Sequence, residues 1–266
     1  MKLSALAASL AVTALLAPLA ADAATRVEPR LPLLRYRPQP VAGASSLKVA
    51  DVTALGTRTN GRIFATDANG TPYTCSGTSL NRPSGSIVLT AGHCVVEDGV
   101  WGKSLSFVPA FDHDRRPFGT FTAIATYVMP QWQHSQNDDF DVAALKVAPN
   151  RLGRLADVVG ARGFITGHSR FSPFQIFGYP AAALEGQELR SCLAQGLGSD
   201  LLTNLLPGPP TLPAACNMAG GASGGAWLLG DKYIAGVTSY SYPATRNRLF
   251  SPYFGPTVGA FLRSLP

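Results

Sequence analysis

From Gly61 to the C-terminus the chain is cut into short apolar runs by turn residues, and runs of that length can pair as strands but cannot make long helices. Residues 62–66, the Asp67-Ala68-Asn69-Gly70 turn and residues 73–80 read as a hairpin. Further strand candidates are 86–90, 105–108, 120–128, 142–147, 175–179, 226–229 and 233–239, with one short helix expected at 258–265. The 27 glycines and 21 prolines that separate these runs argue for an all-β barrel or sandwich.

The N-terminus begins Met1-Lys2, continues through an apolar run at 3–16, and reaches Pro18 and Ala21-Asp22-Ala23. That order of charge, apolar core and small residues predicts a secretory signal cleaved after Ala23. The run is short for a membrane span, so no stable anchor is expected. Residues 24–58 carry Pro29, Pro32, Pro38 and Pro40 among arginines, a composition suited to an extended pro-region or linker. About 240 residues then remain, enough for one large or two small β domains.

The net charge is +6, but Arg26, Arg30, Arg35, Arg37, Lys48 and Arg58 face only Glu28 and Asp51 within 24–58. The rest of the mature chain is nearly neutral, which excludes a basic nucleic-acid face. Export changes the reading of the four cysteines, none of which forms a CxxC pair. In an oxidising compartment they predict disulfides rather than a metal site. Of the three possible pairings, Cys75 with Cys94 and Cys192 with Cys216 closes the shortest loops, each bridge contributing about 3 kcal/mol.

Three local sequences carry chemistry. In Leu89-Thr90-Ala91-Gly92-His93-Cys94 a β-rich run ends in small residues and a histidine held beside a cysteine. In Asp138-Asp139-Phe140-Asp141-Val142 an acid abuts an apolar strand, where it can be desolvated against an imidazole and hold one tautomer. Asp138 and Asp139 are expected on a solvated loop. In Gly220-Gly221-Ala222-Ser223-Gly224-Gly225 glycines let the backbone turn sharply and present N–H groups beside a hydroxyl. Donors from Gly221 and Ser223 would then stabilise charge on a carbonyl oxygen.

Gly221-Ala222-Ser223-Gly224-Gly225 also matches the GxSxG elbow of α/β-hydrolases, which place their histidine after the serine. Here His93, His113, His134 and His168 all precede Ser223. The subtilisin order would need Asp51 or Asp67 from leader or turn sequence. His93, Asp141, Ser223 follows the chymotrypsin order.

TAGHC, FDVAAL and GGASGG resemble the TAAHC, NDIAL and GDSGGP blocks of the trypsin and chymotrypsin family. Cys75-Ser76-Gly77-Thr78 resembles the CGGT block, Gly236 to Ser241 the GIVSWG strand, and 253–265 the terminal strand and helix. The resemblance spans about residues 59–266, in the manner of bacterial secreted trypsin-like and glutamyl-endopeptidase-like peptidases. It implies two six-stranded antiparallel β-barrels, at 59–155 and 156–266, with His93 and Asp141 on the first and Ser223 on the second. It also implies the Cys75–Cys94 bridge and substrate contacts from Asn217, Ser239, Tyr240 and Ser241. The implied activity is a secreted, monomeric serine endopeptidase, made as a zymogen, that acts on proteins or peptides through an acyl-enzyme without metal or cofactor. An esterase or amidase with the same triad and a non-catalytic binding relative are the alternatives.

Two departures matter. Members activated by N-terminal cleavage carry an Asp before the serine, where this chain has Ala222, so activation through that ion pair is not expected. The pocket-base position falls near Asn217, and no acid lies between Cys216 and Ser223. A neutral pocket is therefore expected, with Arg246 and Arg248 read as exposed loop residues. His113, among Asp112, Asp114, Arg115 and Arg116, reads as a solvated turn.

Overall fold

The structure is a computed structural model that describes residues 46–182, 184–218, 220–243, 245 and 247–266. The expected signal at 1–23, the prolines of the leader and Arg246 lie outside the described residues.

In chain order the strands are β1 (Leu47–Lys48), β2 (Asn60–Thr66), β3 (Pro72–Leu80), β4 (Ile87–Thr90), β5 (Val96–Glu97), β6 (Val100–Trp101), β7 (Lys103–Pro109) and β8 (Phe121–Val128). They continue as β9 (Ala143–Val147), β10 (Gly163–Phe164), β11 (Pro173–Gly178), β12 (Arg190–Gln195), β13 (Leu212–Ala215), β14 (Ala226–Leu229), β15 (Tyr233–Val237) and β16 (Arg248–Ser251). The helices are α1 (Pro130–Ser135), α2 (Leu155–Val159) and α3 (Pro256–Ser264). All three are short, and α1 and α3 open on proline, whose missing N–H costs nothing in a first turn.

Strands β2-β3-β4-β9-β8-β7 close into a barrel. Alternate side chains turn inward: Ile63 sits opposite Cys75 on one neighbour and Phe107 on the other. Ile63, Val88, Phe107, Phe121 and Leu145 are fully buried, each contributing about 1.5–3 kcal/mol by burial.

The second half is a six-stranded sheet, β1-β12-β11-β14-β15-β10, together with the two-stranded ribbon β13-β16. Bridges from Gly196 to Ala214 and from Tyr240 to Phe250 join the ribbon to its surroundings. Phe174, Ile176, Trp227 and Ala235 form its core around the Cys192–Cys216 disulfide. Strand β12, RSCLAQ, escapes pattern reading because Leu193 faces out while Cys192 and Ala194 face in. Strand β1 comes from the stretch read as leader. Leu47 and Lys48 pair with Ser191 and Arg190, and Lys48 Nζ lies 2.9 Å from Glu188 Oε1. The edge of β12 is thereby covered at Arg190 and Ser191.

A further cluster joins the two halves: Phe111, Trp132 and Phe140 pack with Phe177, Tyr179 and Val237. The turn of His113 is solvent-exposed, as its composition suggests, and is also cross-linked. His113 Nδ1 lies 2.8 Å from Asp112 Oδ1, and its Nε2 lies 3.5 Å from Glu188 Oε1.

Candidate active site

Strand β4 ends at Thr90, and a single 3-10 turn, Gly92–Cys94, follows at once. Cys94 is bonded to Cys75 of β3, so the turn cannot drift from the barrel. Gly92 is required by a close approach, since a Cβ there would lie 2.5 Å from Trp132 Cδ1 and 2.9 Å from Asp141 Oδ1. The TAGHC block thus trades an alanine for the Trp132 ring. Trp132 meets the His93 ring edge-on at 6.2 Å and donates its Nε1–H to Val96 O at 2.8 Å.

The backbone N–H of His93 donates to Asp141 Oδ1 and the His93 Nδ1 lies on Asp141 Oδ2, both at 2.8 Å. This two-point clamp fixes main chain and ring together. The Asp141 side chain is 1% exposed and that of His93 15%. The acid is thus shielded while the imidazole keeps an open edge. Ser239 Oγ makes a short hydrogen bond to Asp141 Oδ2 as well. Sequence reading assigned Ser239 to substrate alone and missed this contact.

Ser223 lies on a loop packed against the end of β4. Its carbonyl accepts from Ser76 N at 2.7 Å, and Gly224 N–H donates to Thr238 O at 2.7 Å. Gly224 has φ +78°, and a Cβ there would collide with Thr90 Oγ1 and Ser76 O. The serine loop is therefore held against the strand end that leads to His93. Among the described residues His93 makes its hydrogen bonds to Asp141 and none to Ser223.

Gly221 has φ +94°, and a Cβ there would lie 2.6 Å from Tyr179 O. Among the described residues neither Gly221 N–H nor Ser223 N–H donates to a protein acceptor. Ala222 is fully buried against Gly178, where a Cβ would lie 2.8 Å from the Ala222 Cβ. An acid would not fit there without displacing β11.

The expected substrate residues differ in what holds them. Asn217 Oδ1 accepts from Ser46 N–H at 3.0 Å. Tyr240 stacks on Phe250 at 4.9 Å, and its hydroxyl contacts Thr211 Oγ1 at 2.6 Å and Asp200 Oδ2 at 2.7 Å. Tyr242 donates to the same Asp200 oxygen at 2.6 Å. Burial, reinforced by Tyr242 and Asp200, pushes the Tyr240 phenol far above its ordinary range, so it stays a donor. Ser241 is buried beside it, and Arg248 is exposed at the start of β16.

Asp138 and Asp139 are not solvated, as the sequence suggested; they are 3% and 0% exposed. The cause is the 200–210 loop, which folds over them: Asn137 Nδ2 donates to Pro207 O at 3.1 Å, and a Cβ on Gly208 would lie 2.9 Å from Asp139 Oδ2. Neither oxygen of Asp139 has a well-formed hydrogen bond among the described residues. Burial raises its carboxyl to about 7, only partly opposed by Thr203, Thr211 and Arg170 nearby.

The family model described as Trypsin matches residues 56–255. The chain belongs to that family, the trypsin-like serine proteases. Its structure is similar to that of the protease Anisep from Arthrobacter nicotinovorans, with 32% identity, 82% of this chain and 98% of that one covered, and a TM-score of 0.74. It is also similar to the thermostable serine protease AL20 from an extremophilic microorganism, with 28% identity, coverage of 79% and 97%, and a TM-score of 0.71. A Glu endopeptidase shares the fold at 18% identity, coverage of 84% and 96%, and a TM-score of 0.70. Over 98 residues, 36% of this chain, it is 30% identical to a Bacillus subtilis (strain 168) protein named extracellular metalloprotease, of which it spans 29%.

Proposed function

We propose that this protein is an exported serine endopeptidase in which Ser223 is the nucleophile, His93 the general base and acid, and Asp141 the group that orients the imidazole. Ser223 Oγ attacks the scissile carbonyl while its proton passes to His93 Nε2. The proton then goes to the leaving amine, and water repeats the sequence on the acyl-enzyme. The N–H groups of Gly221 and Ser223 would receive the oxyanion. The observation that carries this reading is the two-point clamp of His93 on a buried Asp141, beside a serine loop locked to the same barrel edge.

Export by residues 1–23, a pro-region or linker at 24–58 whose end carries β1, two barrel domains at 59–155 and 156–266, and a neutral specificity pocket near Asn217 belong to the same proposal. The two disulfides suit an oxidising compartment, and among the described residues no helix is long and apolar enough to cross a membrane. The name of the Bacillus relative raises a metal-dependent reading. Among the described residues the one grouping of three metal-ligating donors is Cys75, His93 and Cys94. Its two sulfurs are bonded to each other and offer no thiolate, so that donor set does not fit a metal and no step is routed through one.

The test is hydrolysis of unfolded protein and of short peptide amides by the purified chain and its Ser223→Ala variant. Endopeptidase products that vanish in the variant support the proposal. Hydrolysis of esters but not of peptides would favour the esterase reading.

A further inference from the structure

Three successive peptide groups run through the serine loop, and each is held by a different anchor. The carbonyl of Gly220 accepts from Ala181 N–H at 2.6 Å, and that of Ala222 accepts from Gly225 N–H at 2.9 Å. Between them, the carbonyl of Gly221 accepts from the hydroxyl of Ser76 at 2.8 Å. A trans peptide is planar, so its N–H points opposite its C=O. Anchoring the Gly220 carbonyl therefore aims the Gly221 N–H, and anchoring the Ala222 carbonyl aims the Ser223 N–H. The middle peptide sets the angle between those two donors, and its carbonyl is held by a side chain from the other half of the protein.

Ser76 is built for this contact. It lies on β3, next to the disulfide-bonded Cys75, and is 1% exposed. Its hydroxyl accepts from Tyr179 N–H at 2.9 Å while donating to Gly221 O, so the rotor has one orientation available. Its backbone N–H holds Ser223 O at 2.7 Å, and its carbonyl accepts from Thr90 Oγ1 at 2.9 Å. One residue thus joins the strand end that leads to His93, the Tyr179 segment beneath Gly221, and both ends of the Gly221-Ala222-Ser223 turn. The CGGT block that this stretch resembles has a glycine at this place, so the hydroxyl is a feature of this chain's own sequence.

We propose that Ser76 is a positioning residue for the oxyanion site, its hydroxyl holding the Gly221–Ala222 peptide so that the N–H groups of Gly221 and Ser223 face a common point. The buried Ala222 at the adjoining position offers no carboxylate that could fix the turn instead. Ser76 thereby preforms the site from within the barrel, without a contribution from a newly cut chain end. The inference rests on the reading of Ser223 as the nucleophile.

The experiment compares the wild type with Ser76→Ala, Ser76→Gly and Ser223→Ala. It measures kcat and KM on a peptide amide, and binding of a peptidyl trifluoromethyl ketone against the matching peptidyl alcohol. The ketone adds Ser223 Oγ to its carbonyl and places an oxyanion in the site; the alcohol does not. Removing a direct donor costs about 100 to 1000-fold in turnover, so loosening the peptide between two donors is expected to cost about tenfold. The expected result is that loss in kcat with KM unchanged, a parallel loss of ketone affinity, and unchanged alcohol affinity. Variants that melt at a lower temperature yet keep wild-type kcat and ketone affinity would overturn the proposal. Should Ser76→Ala not fold, Ser76→Gly carries the same comparison. Full activity in Ser223→Ala would overturn the reading of the site and this inference with it. Wild-type dependence on Ser223 with no effect of Ser76 overturns only the latter.

Discussion

The hydroxyl of Ser239 donates to Asp141 Oδ2, the oxygen that also meets His93 Nδ1. The strand expected to bind substrate is thus tied to the acid that orients the imidazole. A hydrogen bond to a charged group is worth about 1.5–3 kcal/mol. Ser239→Ala is therefore expected to lower kcat about tenfold, as 1.4 kcal/mol of lost orientation would. Steady-state kinetics on a peptide amide checks this; an unchanged kcat would show that Asp141 holds the ring without Ser239.

Gly92 gives a second outcome. A methyl group there overlaps Trp132 and Asp141, and overpacking of this kind costs about 1–3 kcal/mol. Gly92→Ala should lower the melting temperature and activity together. Because the clash is chiefly with one ring, Gly92→Ala should cost less in a Trp132→Leu background. Denaturant unfolding of the four chains measures that coupling; strict additivity would contradict it.

Asp139 predicts a pH dependence. Its carboxyl titrates near 7 in the fold against 3.8 ordinarily. Between those values the unfolded chain has lost a proton that the folded chain keeps, so this group makes stability fall as pH rises from about 4 to 7. Asp139→Asn removes the titration. It should leave stability unchanged relative to the wild type below about pH 4 and raise it above pH 7. Thermal unfolding across that range is the check, and a variant less stable at pH 8 than the wild type would refute the assignment.

Asn217, proposed to lie near the base of the specificity pocket, carries no charge, and its amide oxygen is engaged by Ser46 N–H. A peptide library should therefore show no preference for Arg or Lys before the scissile bond. Strong cleavage after basic residues would place another acid in the pocket.

The residues proposed for catalysis each sit in a short local pattern that sequence reading can single out: a histidine beside a cysteine, an acid at the mouth of a strand, a serine between glycines. The barrel strands were legible for the same reason, since β2, β3, β4, β8 and β9 alternate or run apolar over their length. What escaped reading is carried by contacts between distant residues. The Ser239–Asp141 bond spans 98 residues and the Ser76–Gly221 bond 145. No local pattern encodes either. Asp138 and Asp139 looked solvated because their neighbours are polar, and only the 200–210 loop buries them. Strands β12 and β16 are mixed in polarity, β13 is four residues long and contains Pro213, and β1 was hidden in a stretch whose composition is that of a linker.

The central claim is that Ser223 is an activated nucleophile, and reaction with a fluorophosphonate read by intact mass tests it most directly. The account predicts one adduct per folded chain, mapped to Ser223 and absent in Ser223→Ala. The reaction should be slowed about 100-fold or more in His93→Ala, in line with the usual contribution of a general base. A folded, disulfide-intact chain that takes up no probe, or takes it up at another residue, would contradict the account.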